Sequence, residues 1–141
     1  MTDAMVILSV DYGDARTGLA VCDKLELLAS PVGVIAEGYE PKVIRRILEH
    51  VETLRSQQIV VGLPRNMDGS FGERAQKCEA FAQKLQEESG VETVTWDERL
   101  TTVSAHRALN DVNVRGKKRK AVVDAVSAVM ILEDYLRSRK A

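Results

Sequence analysis

Three short runs of aliphatic and β-branched residues, at 5–11, 17–23 and 31–36, are separated by turn residues and predict a meander of three strands. After Pro41 the period changes. Val43, Ile44, Ile47, Leu48 and Val51 fall on one stripe, which predicts a helix from Pro41 to about Leu54. "QIVVGLP" (58–64) reads as a buried strand stopped by Gly62 and Pro64, and "NMDGSFG" as a loop. A helix over 73–88 and a fifth strand, "VETVTW" (91–96), follow. "TTVSAHRALN" predicts a short helix with Thr101 or Thr102 as N-cap. "DVNVRGKK" reads as a loop, and a last helix runs from about Arg119 to Ser138. Strands separated by helices must pair in parallel, whereas short turns join antiparallel neighbours. The chain is therefore expected to be α/β, with a mixed five-stranded sheet and helices on both faces. With 141 residues, 45% of them hydrophobic, it can form this as one domain over 1–141.

Charge changes the picture only in its distribution. Residues 111–141 hold 8 of the 20 basic groups and 4 of the 21 acidic ones, so a basic C-terminal third follows an acidic body. Such asymmetry suits either a polyanionic partner or a solvated helix end. Cys22 and Cys78 have no CxxC spacing and are expected to be buried free thiols in a reducing compartment. "MTDAM" lacks the basic start and apolar core of a signal peptide, and no apolar run spans a membrane, so a cytoplasmic location is expected. GxSxG, HExxH and Walker-A patterns are absent. His50 and His106 fall on predicted helices and read as surface groups.

Candidate chemistry rests on carboxylates. Asp11 ends the first strand, "DER" (97–99) ends the last, and Asp124 interrupts the apolar run "AVVDAVSAVMIL". Asp124 shares a helix face with Ala121, Ala125 and Ala128, small residues that allow close approach to a sheet. An ionised carboxylate pressed there needs a partner or a cation. Singly, each acid has a structural role open to it: a turn cap for Asp11, a helix cap for Asp97, and a salt bridge to Arg119 or Lys120 for Asp124. Together they describe a site. If strands one and five both run parallel to strand four, the two strand-end acids share an edge, and the last helix can deliver the third. Carboxylates without imidazole or thiolate suit Mg²⁺ or Mn²⁺, ions that support phosphoryl displacement.

"VDYGDARTGLAVCD", "IVVGLPRNMDG", "DERLTT" and "KKRKAVVDAVSAVMIL" occur in the order typical of the YqgF-like family, which this chain resembles over essentially its whole length. These are bacterial proteins of ribonuclease H fold, proposed as nucleases that mature the 5′ end of the small-subunit ribosomal RNA precursor and related to Holliday-junction resolvases. The resemblance implies a sheet in order 3-2-1-4-5 and Asp11, Glu98 and Asp124 as catalytic metal ligands. It selects Glu98 over Asp97, a choice that strand reasoning leaves open. Ser104 stands where the family often has Glu, and Ser127 where it often has Ala. No counterpart of the fourth acid common in ribonuclease H nucleases is evident, which leaves one metal or two. Gly13 and Gly18 are expected to let the chain turn tightly after Asp11.

"RGKKRK" (115–120) opens the last helix with charges that oppose its dipole, a modest cost that fits a phosphate-binding task. Arg115, Lys117, Lys118, Arg119 and Lys120 are the candidate nucleic-acid contacts, joined by Arg16 and Arg99, each of which can equally pair with nearby acids. "GLPRNMDGSFGE" precedes a helix whose free N–H groups suit a phosphate. Six aromatic residues in all offer no evident base-stacking platform, so readout of backbone and shape is expected. The reading is a metal-dependent nuclease for structured nucleic acid, foremost precursor ribosomal RNA. Its rivals are a resolvase of branched DNA, for which a homodimer is expected, a non-catalytic RNA-binding assembly factor, and an actin-like ATPase, which would need a second such domain. Replacing Lys117, Lys118 and Lys120 with Gln should weaken nucleic-acid binding. Each lost phosphate contact should flatten the log–log salt slope by about 0.7–0.9. Unchanged affinity and slope in a filter-binding series would leave the segment as solvated surface.

Overall fold

The computed structural model describes residues 4–66, 68–98 and 117–140, of which 117–124 by backbone alone. The strands are β1 (Ile7–Asp11), β2 (Thr17–Cys22), β3 (Ala29–Ile35), β4 (Gln58–Leu63) and β5 (Glu92–Asp97). The helices are α1 (Glu40–Leu54), α2 (Glu73–Ser89) and α3 (Lys117–Lys140). They form one mixed sheet in the order β3-β2-β1-β4-β5. β2 is antiparallel to β1 and to β3. β4 is parallel to β1, with Val10 opposite Val61, and β5 is parallel to β4, with Leu63 opposite Asp97. The condition that brings the two strand ends to one edge is therefore met. β3 begins two residues earlier than the apolar run suggests, because it pairs back to Cys22 through a bulge at Leu19/Ala20. Gly33, at φ +151°, takes the positive dihedral beside that bulge.

Alternation along β1 sorts the two faces. Leu8, Val10 and Tyr12 join Val43, Ile44 and Ile47 of α1 and Ala75, Cys78, Phe81 and Leu85 of α2 in one core. Tyr12 stacks on Phe81 with centroids 3.8 Å apart, and burial, aided by Glu40, pushes its hydroxyl pKa up to about 12. Ile7, on the other face, joins Val60, Ala128, Ile131, Leu132 and Leu136 in a second core under α3. Both cysteines are buried thiols outside any disulfide. Cys22 Sγ accepts the Ile7 N–H at 3.2 Å, and burial pushes its thiol pKa up.

α3 starts at Lys117, not near Arg119, so Lys117 and Lys118 belong to its first turn rather than to a loop. Lysine is a good helix former, so the basic run suits the first turn of the helix. The helix runs antiparallel to β1 and β4. Ser9 Oγ donates to the Ala128 carbonyl at 2.6 Å, and farther along Tyr135 Oη donates to Gln58 Oε1, at the start of β4, at 2.8 Å. Near its C-terminus, Arg139 Nε donates to Glu26 Oε1 at 2.7 Å. Glu26 is 5% exposed and sits at φ +58° in the β2–β3 turn, where its carboxylate also takes the Met5 N–H at 2.8 Å.

The Arg139 hydrogen bond, then the Met5 N–H, holds the Glu26 pKa below the usual carboxylate value against the opposing effect of burial. A lowered folded-state pKa contributes stability above the unfolded value and loses it as pH falls through the folded one. Glu26→Gln should therefore destabilise the protein at pH 7, and the deficit should shrink toward pH 3. Arg139→Met, which strands a buried carboxylate, should cost about 3 kcal/mol at pH 7. Urea midpoints at both pH values check this, and a Glu26→Gln deficit independent of pH would contradict it.

Candidate active site

Asp11 is the last residue of β1 and is 6% exposed. Side chains on a strand alternate, so Asp11 lies on the face of Ile7 and Ser9, toward α3. Its antiparallel partner is Gly18. Gly18 is thus a strand residue and does not ease the turn as expected. Gly13 does, because a Cβ there would collide with the Arg16 carbonyl. The turn is tied to α2: Asp14 meets Lys77 at 2.7 Å and Arg74 at 3.0 Å, and Arg74 Nη2 donates to the Tyr12 carbonyl. Lys77, then Arg74, holds the Asp14 carboxyl below its ordinary pKa.

Glu98 follows β5, with its N–H donating to the Leu63 carbonyl at 3.1 Å. It is 2% exposed. Its carboxylate lies over Gly62: a Cβ on that glycine would come within 2.5 Å of Glu98 Oε2 and 2.6 Å of Ile131 Cδ1. Ile131 belongs to the core under α3, so Glu98 occupies the same face of the sheet as Asp11. Gly62 follows Val61, the partner of Val10, so the carboxylate lies beside the strand end that carries Asp11.

Asp97 goes the other way. Val94 and Trp96 pack under α3, which leaves Asp97 on the opposite face, where Arg65 Nη1 stands 3.4 Å from its Oδ2. Arg65 also donates to the Gly69 carbonyl and lies 4.6 Å over the Phe71 ring. The helix that Asp97 was expected to cap lies outside the described residues. The partner present is Arg65, which sequence reasoning missed; its position in the loop after β4 is the only signal.

Asp124 lies one helical turn before Ala128, about 6 Å along the axis. Asp11 lies two residues beyond Ser9, about 7 Å along the strand. Ser9 and Ala128 are bonded, so the backbone of Asp124 reaches the level of Asp11 at the same edge. Its side chain is outside the description, and among the described residues no three His, Cys, Asp or Glu side chains form a metal cluster. Of the basic candidates, Arg16 is half-buried in the β1–β2 connection. Lys117, Lys118, Arg119 and Lys120 form the first turn of α3, placed by backbone alone, at the Asp11 end of the sheet. Arg99, Arg115, Thr101, Thr102 and His106 lie outside the described residues, and His50 is half-buried on α1. At the α2 N-terminus Gly72 is the N-cap, and no side chain caps it.

With this edge in view, the comparison with known proteins is informative. The model of the family RuvX, described as Holliday junction resolvase, matches residues 5–138. The chain belongs to this family. It is the YqgF-like family of the sequence resemblance. A relative from Halothermothrix orenii, named "Putative pre-16S rRNA nuclease", is 42% identical over 132 residues, 94% of each chain. One of the same name from Acetivibrio thermocellus is 40% identical over 137 residues, covering 96% of this chain and 97% of the relative. Among solved structures, Thermus thermophilus RuvC in complex with a Holliday junction substrate superposes with a TM-score of 0.58 at 15% identity, over 97% of this chain and 96% of that one. The fowlpox virus Holliday junction resolvase reaches 0.54 at 13% identity, over 95% and 99%. These two likenesses establish the ribonuclease-H-like fold.

The two neighbouring acids should respond differently to neutralisation. Asp97→Asn removes a half-exposed ion pair and should cost less than about 1 kcal/mol. Glu98→Gln removes a negative charge from a buried edge that already holds Asp11, and its urea midpoint should stay or rise. A large loss of stability in Glu98→Gln, with none in Asp97→Asn, would make Glu98 the structural acid.

Proposed function

We propose that the protein is a metal-dependent nuclease that cleaves structured nucleic acid, with the 5′ end of precursor 16S ribosomal RNA as its substrate. The observation that carries this reading is the placement of two buried carboxylates, Asp11 at the end of β1 and Glu98 over the neighbouring β4, on one face of one sheet edge. The family of nucleases to which the chain belongs, and the names of its relatives, point to the same chemistry and to the RNA.

The residues present fit a hard divalent cation. Both acids offer oxygen alone, and the bare Cα of Gly62 makes room for the Glu98 carboxylate itself on the α3 face of β4. Asp11, Glu98 and Asp124 would hold Mg²⁺ or Mn²⁺. Such an ion, when bound, supplies an activated water and charge stabilisation at the scissile phosphate. Asp11 is the last residue of β1 and the Glu98 N–H is bonded to the Leu63 carbonyl, so the sheet fixes where both acids leave the backbone. Arg16, Arg99, Arg115 and Lys117–Lys120 serve the phosphates of the substrate. Few ring faces are open for base stacking: Tyr12 is 6% exposed beneath Phe81, Trp96 packs edge-on against Tyr135, and Arg65 lies over Phe71, so Tyr39 is the main exposed ring among the described residues. The protein therefore reads the backbone and shape of its substrate. No helix among the described residues is long and apolar enough to cross a membrane, which agrees with work on ribosomal precursors in the cytoplasm.

Purified protein with Mg²⁺ should trim the 5′ end of a precursor 16S transcript and leave a four-way DNA junction intact. Chelation should stop it. Asp124→Asn, nearly isosteric but neutral, should remain folded and inactive. Cleavage of the junction alone would move the substrate to branched DNA, and binding without cleavage would make the protein an assembly factor. A destabilised but fully active Asp124→Asn would show that Asp124 is only a salt-bridge partner.

A further inference from the structure

β4 runs Gln58, Ile59, Val60, Val61, Gly62, Leu63, and every one of these residues is buried. A glycine inside such a strand forgoes packing and costs chain entropy. The backbone does not call for it, since Gly62 is not among the positive-φ glycines. What requires it is space. A Cβ at this position would stand 2.5 Å from Glu98 Oε2, 3.2 Å from Glu98 Cδ and 2.6 Å from Ile131 Cδ1. The Glu98 backbone cannot easily yield, because its N–H is bonded to the Leu63 carbonyl, and Ile131 is fully buried on the other side.

We propose that Gly62 is a positioning residue: its missing side chain lets the Glu98 carboxylate lie across β4 toward Asp11, so that the two acids present their oxygens to one divalent cation. This rests on the metal-dependent reading above. An alanine would push the carboxylate back by about 1 Å, the difference between 2.5 Å and ordinary contact. Gly62 acts through Glu98 and touches no reacting atom.

The probe is Mn²⁺ alone, titrated calorimetrically into the metal-free protein, with thermal melts at each metal concentration. Gly62→Ala should weaken Mn²⁺ binding by about 10–100-fold, the range typical when a group that orients a metal ligand is altered. Ile131→Val removes the second clashing atom, so Gly62→Ala/Ile131→Val isolates the clash with Glu98. That double variant should regain thermal stability and keep the Mn²⁺ deficit. Adding Glu98→Asp to Gly62→Ala shortens the acid and should cost less Mn²⁺ affinity than the same change made in the wild type. Mn²⁺ affinity unaltered in Gly62→Ala, or fully restored by Ile131→Val, would overturn the proposal, leaving Gly62 as a packing residue for α3. If Glu98→Gln binds Mn²⁺ as tightly as the wild type, the metal role of Glu98 itself falls, an outcome distinct from failure at Gly62.

Discussion

The docking of α3 on the centre of the sheet is the constraint from which the site follows. Ser9, fully buried in β1, donates its hydroxyl to the Ala128 carbonyl at 2.6 Å. A contact that close between a strand side chain and a helix backbone needs small residues on both sides, and Ser9, Ala20 and Ala128 are all buried there. Side chains of leucine size would hold the helix at the usual separation of packed layers. With Ser9 and Ala128 joined, the position of every α3 residue along β1 is set by helix rise and strand rise. The residue one turn earlier in the helix thereby stands level with the end of the strand.

The two ends of α3 answer to different demands. At the C-terminal end, Tyr135 bonds Gln58 and Arg139 bonds Glu26, and basic residues there also favour the helix dipole. At the N-terminal end, Lys117, Lys118, Arg119 and Lys120 oppose the dipole, and no acid stands in the first turn to compensate. The cost is accepted at the edge that carries the acids, as expected if that end meets phosphates. The same division appears around "DER": Asp97 is held by Arg65 on one face, which leaves Glu98 on the other. Arg65, through Asp97, Gly69 and Phe71, also ties the loop after β4 to the end of β5.

Much of this was legible in the sequence because it depends on short-range patterns. Alternation and 3.6-residue periodicity mark the strands and the stripe of α1, and the alternation of strands with helices requires parallel pairing. From these the mixed sheet and its two covered faces follow without coordinates. The shared edge of Asp11 and "DER" followed only on the condition, met in the structure, that β1 and β5 both run parallel to β4. Where local chemistry is ambiguous the boundaries moved: β3 began early because a bulge at Leu19/Ala20 is invisible in its own sequence, and α3 began at Lys117 because lysine suits helix and loop alike. Gly18 was misplaced for a similar reason, since a glycine in a strand and a glycine in a turn look the same.

The sequence by itself determined which residue types reach the sheet edge: carboxylates at two strand ends and within one apolar helix, with a basic run before the helix's apolar core. The resemblance selected Glu98 over Asp97, and only tertiary structure shows which of the two lies on the face that α3 covers. Strand alternation says that Asp97 and Glu98 point apart, but not which face α3 covers, and that is settled by the packing of Val94, Trp96 and Ile131 in one core. It also decided the meaning of Gly62. In sequence it reads as a strand terminator; in space it is the gap through which the carboxylate of a residue 36 positions later crosses a neighbouring strand. Contacts of that span depend on the path of the whole chain, and no local pattern carries them.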